Sequence, residues 1–338
     1  MARVAINGFG RIGRAAFKIL MDHPDLEVVA VNDIAPLDNL VYLLKFDTVY
    51  GRYEKEVSLA DGSFRAGEQS VQFFSEKDPA QLPWKRLEID IVLECTGRFT
   101  DREGLQKHLQ AGAKFAILSA PTKSVDVPSV VYGVNQPSGE VQAISCASCT
   151  TNAIAPVVEI MGRRVGIKKA IMTTVHGYTA SQELVDSPSK KWRRGRAAAA
   201  NLVPTSTGAA IATTKALPEY ESRFDGVAIR APVPSGSIAD LVFVTERPTS
   251  VEEVNRIFQE EAQSDRYNGA LGVTDEEYVS SDILKDPRGS VVDLGMTMVV
   301  DGDLVKIMAW YDNEWGYANQ MVREAAQIAE TLKTRQQA

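Results

Sequence analysis

The 338-residue sequence holds no apolar run approaching the roughly 20 residues that a membrane helix needs. It has no excess of positive charge either. Thirty-seven Lys and Arg stand against 44 Asp and Glu, a formal net charge of −7, which argues against nucleic-acid binding by bulk electrostatics. No charged-then-apolar leader precedes the strand pattern of MARVAINGFG, so a cytoplasmic protein with no membrane or nucleic-acid partner is expected. Cysteine is scarce: Cys95, Cys146 and Cys149, an odd number in a chain that is not small, argue against a disulfide scaffold. His23, His108 and His176 are scattered and no second cysteine pair exists, so a four-ligand zinc set is lacking and no metal site is expected. Cys146-x-x-Cys149 lacks the flanks of a thioredoxin-type dithiol. Internal repeats, low-complexity tracts and a Pro/Gly/Ser-rich linker are also absent. What remains is an ordinary globular composition, 44% apolar and 24% charged, long enough for two domains with sizeable cores.

The first thirty residues are the most informative. An apolar run, Val4–Ile6, meets Gly8-x-Gly10-x-x-Gly13; an amphipathic helix follows to about Met21, and a second apolar strand, Val28–Val31, ends at Asn32-Asp33. Strand, glycine turn, helix and strand in this order form the context that a dinucleotide fingerprint requires. Gly8 permits the tight turn, Gly10 lets a pyrophosphate approach the backbone, and Gly13 allows close helix–strand packing. The helix start then offers N–H groups and a partial positive charge. Asp33 stands where a carboxylate accepts from the ribose hydroxyls and repels a 2′-phosphate, which favours NAD over NADP. The plainer reading is a glycine turn that packs a helix on a sheet, with Asp33 a solvated loop residue.

Further strands are expected at Ile89–Glu94, Ala116–Ser119 and Val130–Tyr132. Thr96, in TGRFT, and Ser119, in SAPT, fall at strand carboxyl ends, where open α/β sheets bind ligands. Beyond residue 148 the pattern changes to a helix at Thr151–Arg163, a strand Ala170–Val175 ending at His176, and a basic irregular segment. Longer strands follow at Val227–Arg230, Ile238–Thr245, Val291–Val299 and Leu304–Tyr311, with helices at Val251–Ala262 and Glu314–Leu332. The expected fold is therefore α/β: a Rossmann-type NAD-binding domain over residues 1–148, plus an α+β catalytic domain with a mostly antiparallel sheet over residues 149–313. The helix at about 314–332 is expected to pack back onto the first domain.

Cys149 lies at a strand-to-helix junction, where a helix N-terminus stabilises an anion and lowers a thiol pKa. His176 ends a neighbouring strand 27 residues later, and an imidazole beside the thiol can hold it as thiolate and pass protons. A thiolate and a nicotinamide together point to attack on an aldehyde, hydride transfer from the thiohemiacetal, and a thioester. The competing reading is a small buried hydrophobe and a histidine that only packs. Cys146 is read as a packing residue.

Eight stretches, INGFGRIGR, ECTGRFT, LSAPTK, ASCTTN, TTVHGYT, RRGRAAAANLVPTSTGAA, RAPVP and WYDNEWGY, resemble in sequence and order the phosphorylating glyceraldehyde-3-phosphate dehydrogenase family. The resemblance spans essentially the whole chain. It implies oxidation of a phosphorylated aldehyde with inorganic phosphate as the attacking group, usually by a homotetramer. Cys149 would be the nucleophile and His176 its base. Arg11, Ile12 and Asp33 would hold NAD, with Asn313 on the nicotinamide carboxamide and Tyr317 packing nearby. Thr179 and Arg230 would take the C3 phosphate; Ser148, Thr150, Arg194, Thr207 and Gly208 would take inorganic phosphate. Phosphates need cations and hydroxyl or N–H donors, which this set supplies.

The sequence departs from the family pattern in places. Cys146 replaces an expected Asn, which leaves a redox role for Cys146 and Cys149 open. Gly177, Ala180 and Ser181, and the segment VPSGSIADL, also differ from the usual residues. Ser187, in a loop that contacts a neighbouring subunit's cofactor in the family, would help to admit NADP, so use of both cofactors is allowed for. A sister enzyme that oxidises erythrose 4-phosphate with water as acceptor, and a non-catalytic NAD- or RNA-binding protein of the same fold, are the rival readings.

Overall fold

Strand β1 (Ala2–Asn7) carries ARVAIN, apolar on both faces, and all but one of its residues are buried. A strand of this kind is stable only inside a parallel sheet covered on both sides. The computed structural model, which describes residues 1–337, places it there. Gly8 follows at φ +94°, and helix α1 (Arg11–Leu20) packs Ala15, Ala16, Phe17 and Leu20 inward. Then come β2 (Leu26–Asn32), α2 (Leu37–Lys45), and the short pair β3 (Phe46–Asp47) and β4 (Gly51–Arg52). After these lie β5 (Val57–Ala60), β6 (Ser63–Ala66), β7 (Gln69–Phe74), β8 (Ile91–Glu94), α3 (Arg102–Gln110), β9 (Phe115–Leu118) and β10 (Ala143–Ser145). The sheet order is β10-β9-β8-β1-β2-β7-β6-β5. It is parallel from β10 to β7 and ends in an antiparallel meander through β6 and β5. Phe64, on β6, joins Phe9 and Phe17 in one aromatic cluster with centroids 5.4–5.9 Å apart.

The second half opens with α4 (Cys149–Arg164) and β11 (Ile167–Gly177), and continues through β12 (Val203–Ser206), α5 (Ala209–Ala216), β13 (Phe224–Ala231) and β14 (Ser237–Thr245). Helix α6 (Val251–Ala262), β15 (Leu271–Thr274), β16 (Ser290–Val300), β17 (Leu304–Tyr311) and α7 (Trp315–Gln337) complete the chain. Its sheet runs β12-β13-β11-β14-β17-β16-β15, with only β11–β13 and β15–β16 parallel. Alternation along β14 and β17 is clean: Ala239, Leu241 and Phe243, and Val305, Ile307 and Ala309, point to the covered face. On the other face the register aligns Ile171, Val227, Met298, Val300 and Leu304, all exposed.

Two compact units result. One holds Met1–Val130, Pro137–Ala147 and the chain from Met321 onward; the other holds Val131–Gln136 and Ser148–Gln320. The architecture is the expected one, a Rossmann-type parallel sheet followed by a mostly antiparallel sheet. The strand expected at Val130–Tyr132 is not formed. Ser129 makes an isolated bridge to Ser145 and the chain then turns, with Asn135 Oδ1 accepting from Val131 N–H at 2.9 Å. Three apolar residues in a row there reflect burial of a turn, not a strand. Among the described residues, no helix is long and apolar enough to cross a membrane.

Helix α7 carries a buried acid. Glu324 is 3% exposed, its Oε1 has no hydrogen-bond partner, and burial pushes its pKa up from 4.5 to about 8. Between those values the unfolded chain has released this proton while the folded chain keeps it. Stability attributable to Glu324 is therefore highest below about pH 4.5 and is lost as the pH rises towards 8. Replacement by the neutral isostere, Glu324→Gln, removes the loss. Urea unfolding of the variant should match wild type near pH 5 and exceed it at pH 8 by on the order of a few kcal/mol. Equal differences at the two pH values would show that Glu324 titrates normally.

Candidate active site

The C-terminal ends of β1, β2 and β8 open onto a cleft of about 510 Å³ lined by Asn7, Gly8, Gly10, Asn32, Asp33, Glu76, Lys77, Cys95, Thr96, Arg98 and Phe99, among others. The three glycines occupy different constraints. A Cβ on Gly8 would lie 2.6 Å from Thr96 N, and one on Gly13 would lie 2.1 Å from Gly8 O, so both positions are closed to side chains. Gly10 has no atom within 4 Å of where its Cβ would be, so its open side is available to a ligand. Gly10 also begins α1 without any side-chain cap, which leaves first-turn N–H groups for an anion. Asp33 is held at the cleft by two main-chain donors, Phe9 N–H to Oδ2 at 2.7 Å and Ala35 N–H to Oδ1 at 2.9 Å.

Other residues singled out from the sequence lie in this unit with different surroundings. The Arg11 guanidinium is turned to Asp47, 2.5 Å away, and stacks over Tyr50, so the group that Arg11 presents at the helix start is its main chain. Ile12 is half-buried in the first turn of α1. Thr96 donates its hydroxyl to Glu94 and accepts from Arg98 N–H at 3.0 Å. Ser119 follows β9, bonds Glu94 O through its N–H, and places its side chain against Cys95. Burial pushes the Cys95 thiol up to about 12, and the buried Cys146 thiol well above its ordinary value. Neither is disulfide-bonded. Asn7, Asn32 and Glu76 line the cleft and were not singled out as site residues; the signal available was a matching Asn at the end of each of the first two strands.

In the second unit Cys149 is the first residue of α4. Ser148 caps the helix, its Oγ accepting from Thr151 N–H at 3.1 Å. Cys149 Sγ lies 3.4 Å from His176 Nε2. His176 is 4% exposed near the end of β11, and the β11–β13 register sets Arg230 directly beside it. His176 Nδ1 lies between the Gly177 carbonyl, 2.6 Å away, and Arg230 Nη1, 2.8 Å away. Arg230 Nη1 also donates to the Gly177 carbonyl at 3.1 Å, and His176 Nε2 faces the thiol. Burial, reinforced by the Arg230 charge, pushes His176 down to about 3; burial also pushes the Cys149 thiol up, although Arg230 favours its thiolate. Burial thus opposes charge on both members of the pair, while Arg230 and the Cys149 and Thr150 N–H groups favour the thiolate expected from the sequence.

Arg194 reaches the same region from the irregular segment, with Nε to Thr205 Oγ1 at 3.0 Å, Nη1 to Ser181 Oγ at 3.3 Å and Nη2 to Ser206 O at 3.3 Å. Among the described residues, neither Arg194 nor Arg230 has a carboxylate acting on it, and Arg230 Nε is buried without a hydrogen-bond partner. Thr179 Oγ1 bonds Ser181 Oγ at 2.9 Å. Thr207 Oγ1 accepts from Ala209 N–H at 3.1 Å, and Gly208 faces open space at the start of α5. The Thr150 hydroxyl points inward, into a chain with Tyr311 OH (2.9 Å) and Thr174 Oγ1 (2.7 Å). Asn313 is buried, its Oδ1 accepting from Ser237 Oγ at 2.8 Å; Tyr317 is buried in the first turn of α7. Among the described residues, no group of three or more His, Cys, Asp or Glu could hold a metal ion.

Residues 2–102 match the family model described as the NAD binding domain of glyceraldehyde 3-phosphate dehydrogenase, and residues 148–313 match its C-terminal domain. A glyceraldehyde-3-phosphate dehydrogenase of Streptomyces coelicolor is 46% identical over 95% of this chain and 96% of its own length. Those of Zymomonas mobilis and Clostridium pasteurianum are each 43% identical over 98% of the chain and cover 99% and 100% of their own lengths. A glycine turn shaped for a dinucleotide, a thiol–imidazole contact at a helix start and likeness along nearly the whole sequence converge, and the chain belongs to the glyceraldehyde-3-phosphate dehydrogenase family.

Proposed function

We propose that this protein oxidises D-glyceraldehyde 3-phosphate to 1,3-bisphosphoglycerate, using inorganic phosphate and NAD, in glycolysis or gluconeogenesis. The observation that carries the reading is the Cys149 thiol on the first turn of α4, 3.4 Å from a neutral His176 Nε2. NAD suits the open Gly10, the uncapped α1 and the tethered Asp33. Gly8, Gly10, Arg11, Ile12 and Gly13 would hold it through the main chain, with Asp33, Thr96 and Ser119, and Asn313 and Tyr317 would serve its nicotinamide end. Bound NAD supplies the hydride acceptor.

His176 Nε2 takes the thiol proton as Cys149 Sγ attacks the aldehyde carbon, giving a hemithioacetal. Main-chain N–H groups of Cys149 and Thr150, at the open end of α4, stabilise the developing oxyanion; one such donor is worth about 3–4 kcal/mol. Oxidation of this oxyanion to a thioester releases no further proton, so His176 keeps the one it took from the thiol. A phosphate oxygen then attacks the thioester carbon, its own proton passing to solvent, and the Cys149 sulfur leaves as a thiolate that takes its proton back from His176. Arg230 and Thr179 would hold the C3 phosphate; Arg194, Ser148, Thr150, Thr207 and Gly208 would hold inorganic phosphate. Two guanidinium groups without carboxylates support this division, since a buried cation needs an anion. The exposed apolar row on the second sheet, with Ile171 60% and Val227 52% accessible, supports a homotetramer.

Three outcomes check these points. His176→Asn should lower kcat by about 10²–10⁴-fold, the usual worth of a general base, and slow iodoacetamide labelling of Cys149 at pH 7. Identical labelling profiles against pH in the two proteins would sink the pairing. With glyceraldehyde 3-phosphate, NADH formation should require inorganic phosphate, and kcat/KM with NAD should exceed that with NADP by at least about tenfold, or ~1.4 kcal/mol. Phosphate-independent turnover with erythrose 4-phosphate preferred would assign the sister activity instead. Light scattering should give four times the 36.9 kDa chain mass, and Ile171→Glu with Val227→Glu should reduce it. A 36.9 kDa wild-type particle would rule the assembly out.

A further inference from the structure

Beneath the cofactor cleft lies a buried polar cluster that the proposed chemistry does not use. Glu94, at the end of β8, is fully buried, as are His108 and Trp84, while Asn7 is 1% and Asn32 3% exposed. Four donors converge on the Glu94 carboxylate. Oε1 accepts from Thr96 N–H at 2.8 Å and from the Thr96 hydroxyl; Oε2 accepts from Asn7 Nδ2 at 2.5 Å and from His108 Nε2 at 3.0 Å. The state of His108 follows from its other side. Trp84 Nε1–H lies 3.1 Å from His108 Nδ1, and an indole nitrogen only donates. Nδ1 is therefore the acceptor, and the ring proton sits on Nε2, aimed at Glu94. The orientation of Asn7 is settled in the same way. Its Oδ1 accepts from Asn32 Nδ2 at 2.7 Å, and Asn32 is locked by Glu76, whose N–H it accepts at 2.8 Å and whose C=O it bonds at 2.9 Å.

We propose that Glu94, with His108 held in the Nε2–H tautomer by Trp84, is the positioning group for the floor of the cofactor cleft. Through Thr96 and Asn7 it fixes the turn at 96–98 against the glycine loop, and through Asn32 the chain of bonds continues to the segment after β7. Four of the groups so tied, Asn7, Asn32, Glu76 and Thr96, line the cleft. The coupling to the loop is steric as well as polar, because Gly8 sits so close to Thr96 N that even a Cβ would collide. A shift of the 96–98 turn therefore displaces the site where the pyrophosphate approaches. The carboxylate is chemically required: an amide nitrogen in the Oε1 place would face the Thr96 N–H, and in the Oε2 place would face the Asn7 and His108 donors. None of these can turn into an acceptor without breaking a further bond in the chain. The inference rests on the reading of this cleft as the NAD site.

Titration calorimetry with NAD on the full-length protein tests it. Glu94→Gln and His108→Leu should each weaken binding by about tenfold or more, whereas His108→Gln, which keeps a donor for Glu94 and an acceptor for Trp84, should stay within about threefold of wild type. Because neither residue touches substrate, kcat of His108→Leu at saturating NAD should change less than its KM for NAD. Equal losses in His108→Leu and His108→Gln would reduce the cluster to packing and overturn the proposal, as would unchanged affinity in Glu94→Gln. Should Glu94→Gln fail to fold, nitrogen-15 histidine spectra of the wild type still decide: the chain has only three histidines, and a proton on His108 Nδ1 in place of Nε2 would overturn it. Failure of wild type to bind NAD would instead remove the reading of the cleft, and the tautomer spectrum would still report on the network.

Discussion

The proposed chemistry depends on the contact between Cys149 Sγ and His176 Nε2, and that contact depends on backbone placement more than on the two side chains. Ser148 ends the extended approach by capping α4 at Thr151 N–H, so the next residue begins the helix and the Cys149 and Thr150 N–H groups stand beside the sulfur. Strand β11 delivers His176 on its covered face, and its pairing with β13 sets Arg230 alongside. A slip of one residue in that register would turn His176 to the exposed face and leave the thiol with no base. The Gly177 carbonyl and Arg230 then both meet the ring at Nδ1, which leaves Nε2 towards the sulfur. The placement of base and cation thus follows from one strand register.

Burial opposes charge on both members of the pair. Each charged form loses hydration, and the nearest cations oppose a second positive charge on the imidazole while favouring a negative one on sulfur. The same physics pushes Glu324 up to about 8 and raises Cys95 and Cys146, so the first cysteine of the C-x-x-C spacing, Cys146, is a poor nucleophile. The surroundings of the two buried acids differ: four donors surround Glu94, whereas Glu324 Oε1 has none.

Features that act over short stretches of chain were legible in the sequence. The glycine turn, α1 and Asp33 lie within about one βαβ unit, and their roles follow from sterics at single positions. The placement of Cys149 at a helix start was legible because a cap and an apolar run follow each other directly. The Glu94 cluster was not, since its bonds join residues 14, 24 and 87 positions apart and no periodicity marks a buried hydrogen bond. The inward turn of Thr150 was hidden for the same reason: its partner Tyr311 stands 161 residues away. Val130–Tyr132 misled because a buried turn and a buried strand share the same apolar signature.

The two units meet the problem of negatively charged ligands by different means, and their sequences differ accordingly. In the first, the glycine loop and the uncapped α1 offer main-chain N–H groups, and the tethered Asp33 carboxylate lines the cleft together with Lys77 and Arg98. Such a site would discriminate by shape and repulsion, and the proposed Glu94 network would keep its N–H groups aimed. In the second, Arg194 and Arg230 supply full charges without carboxylate partners inside a chain of net charge −7. A cation pair of this kind is costly until an anion arrives, so its affinity rests on charge and not on main-chain geometry. On the proposed roles, the first site would be sensitive to side chains that never touch ligand, and the second to those that do.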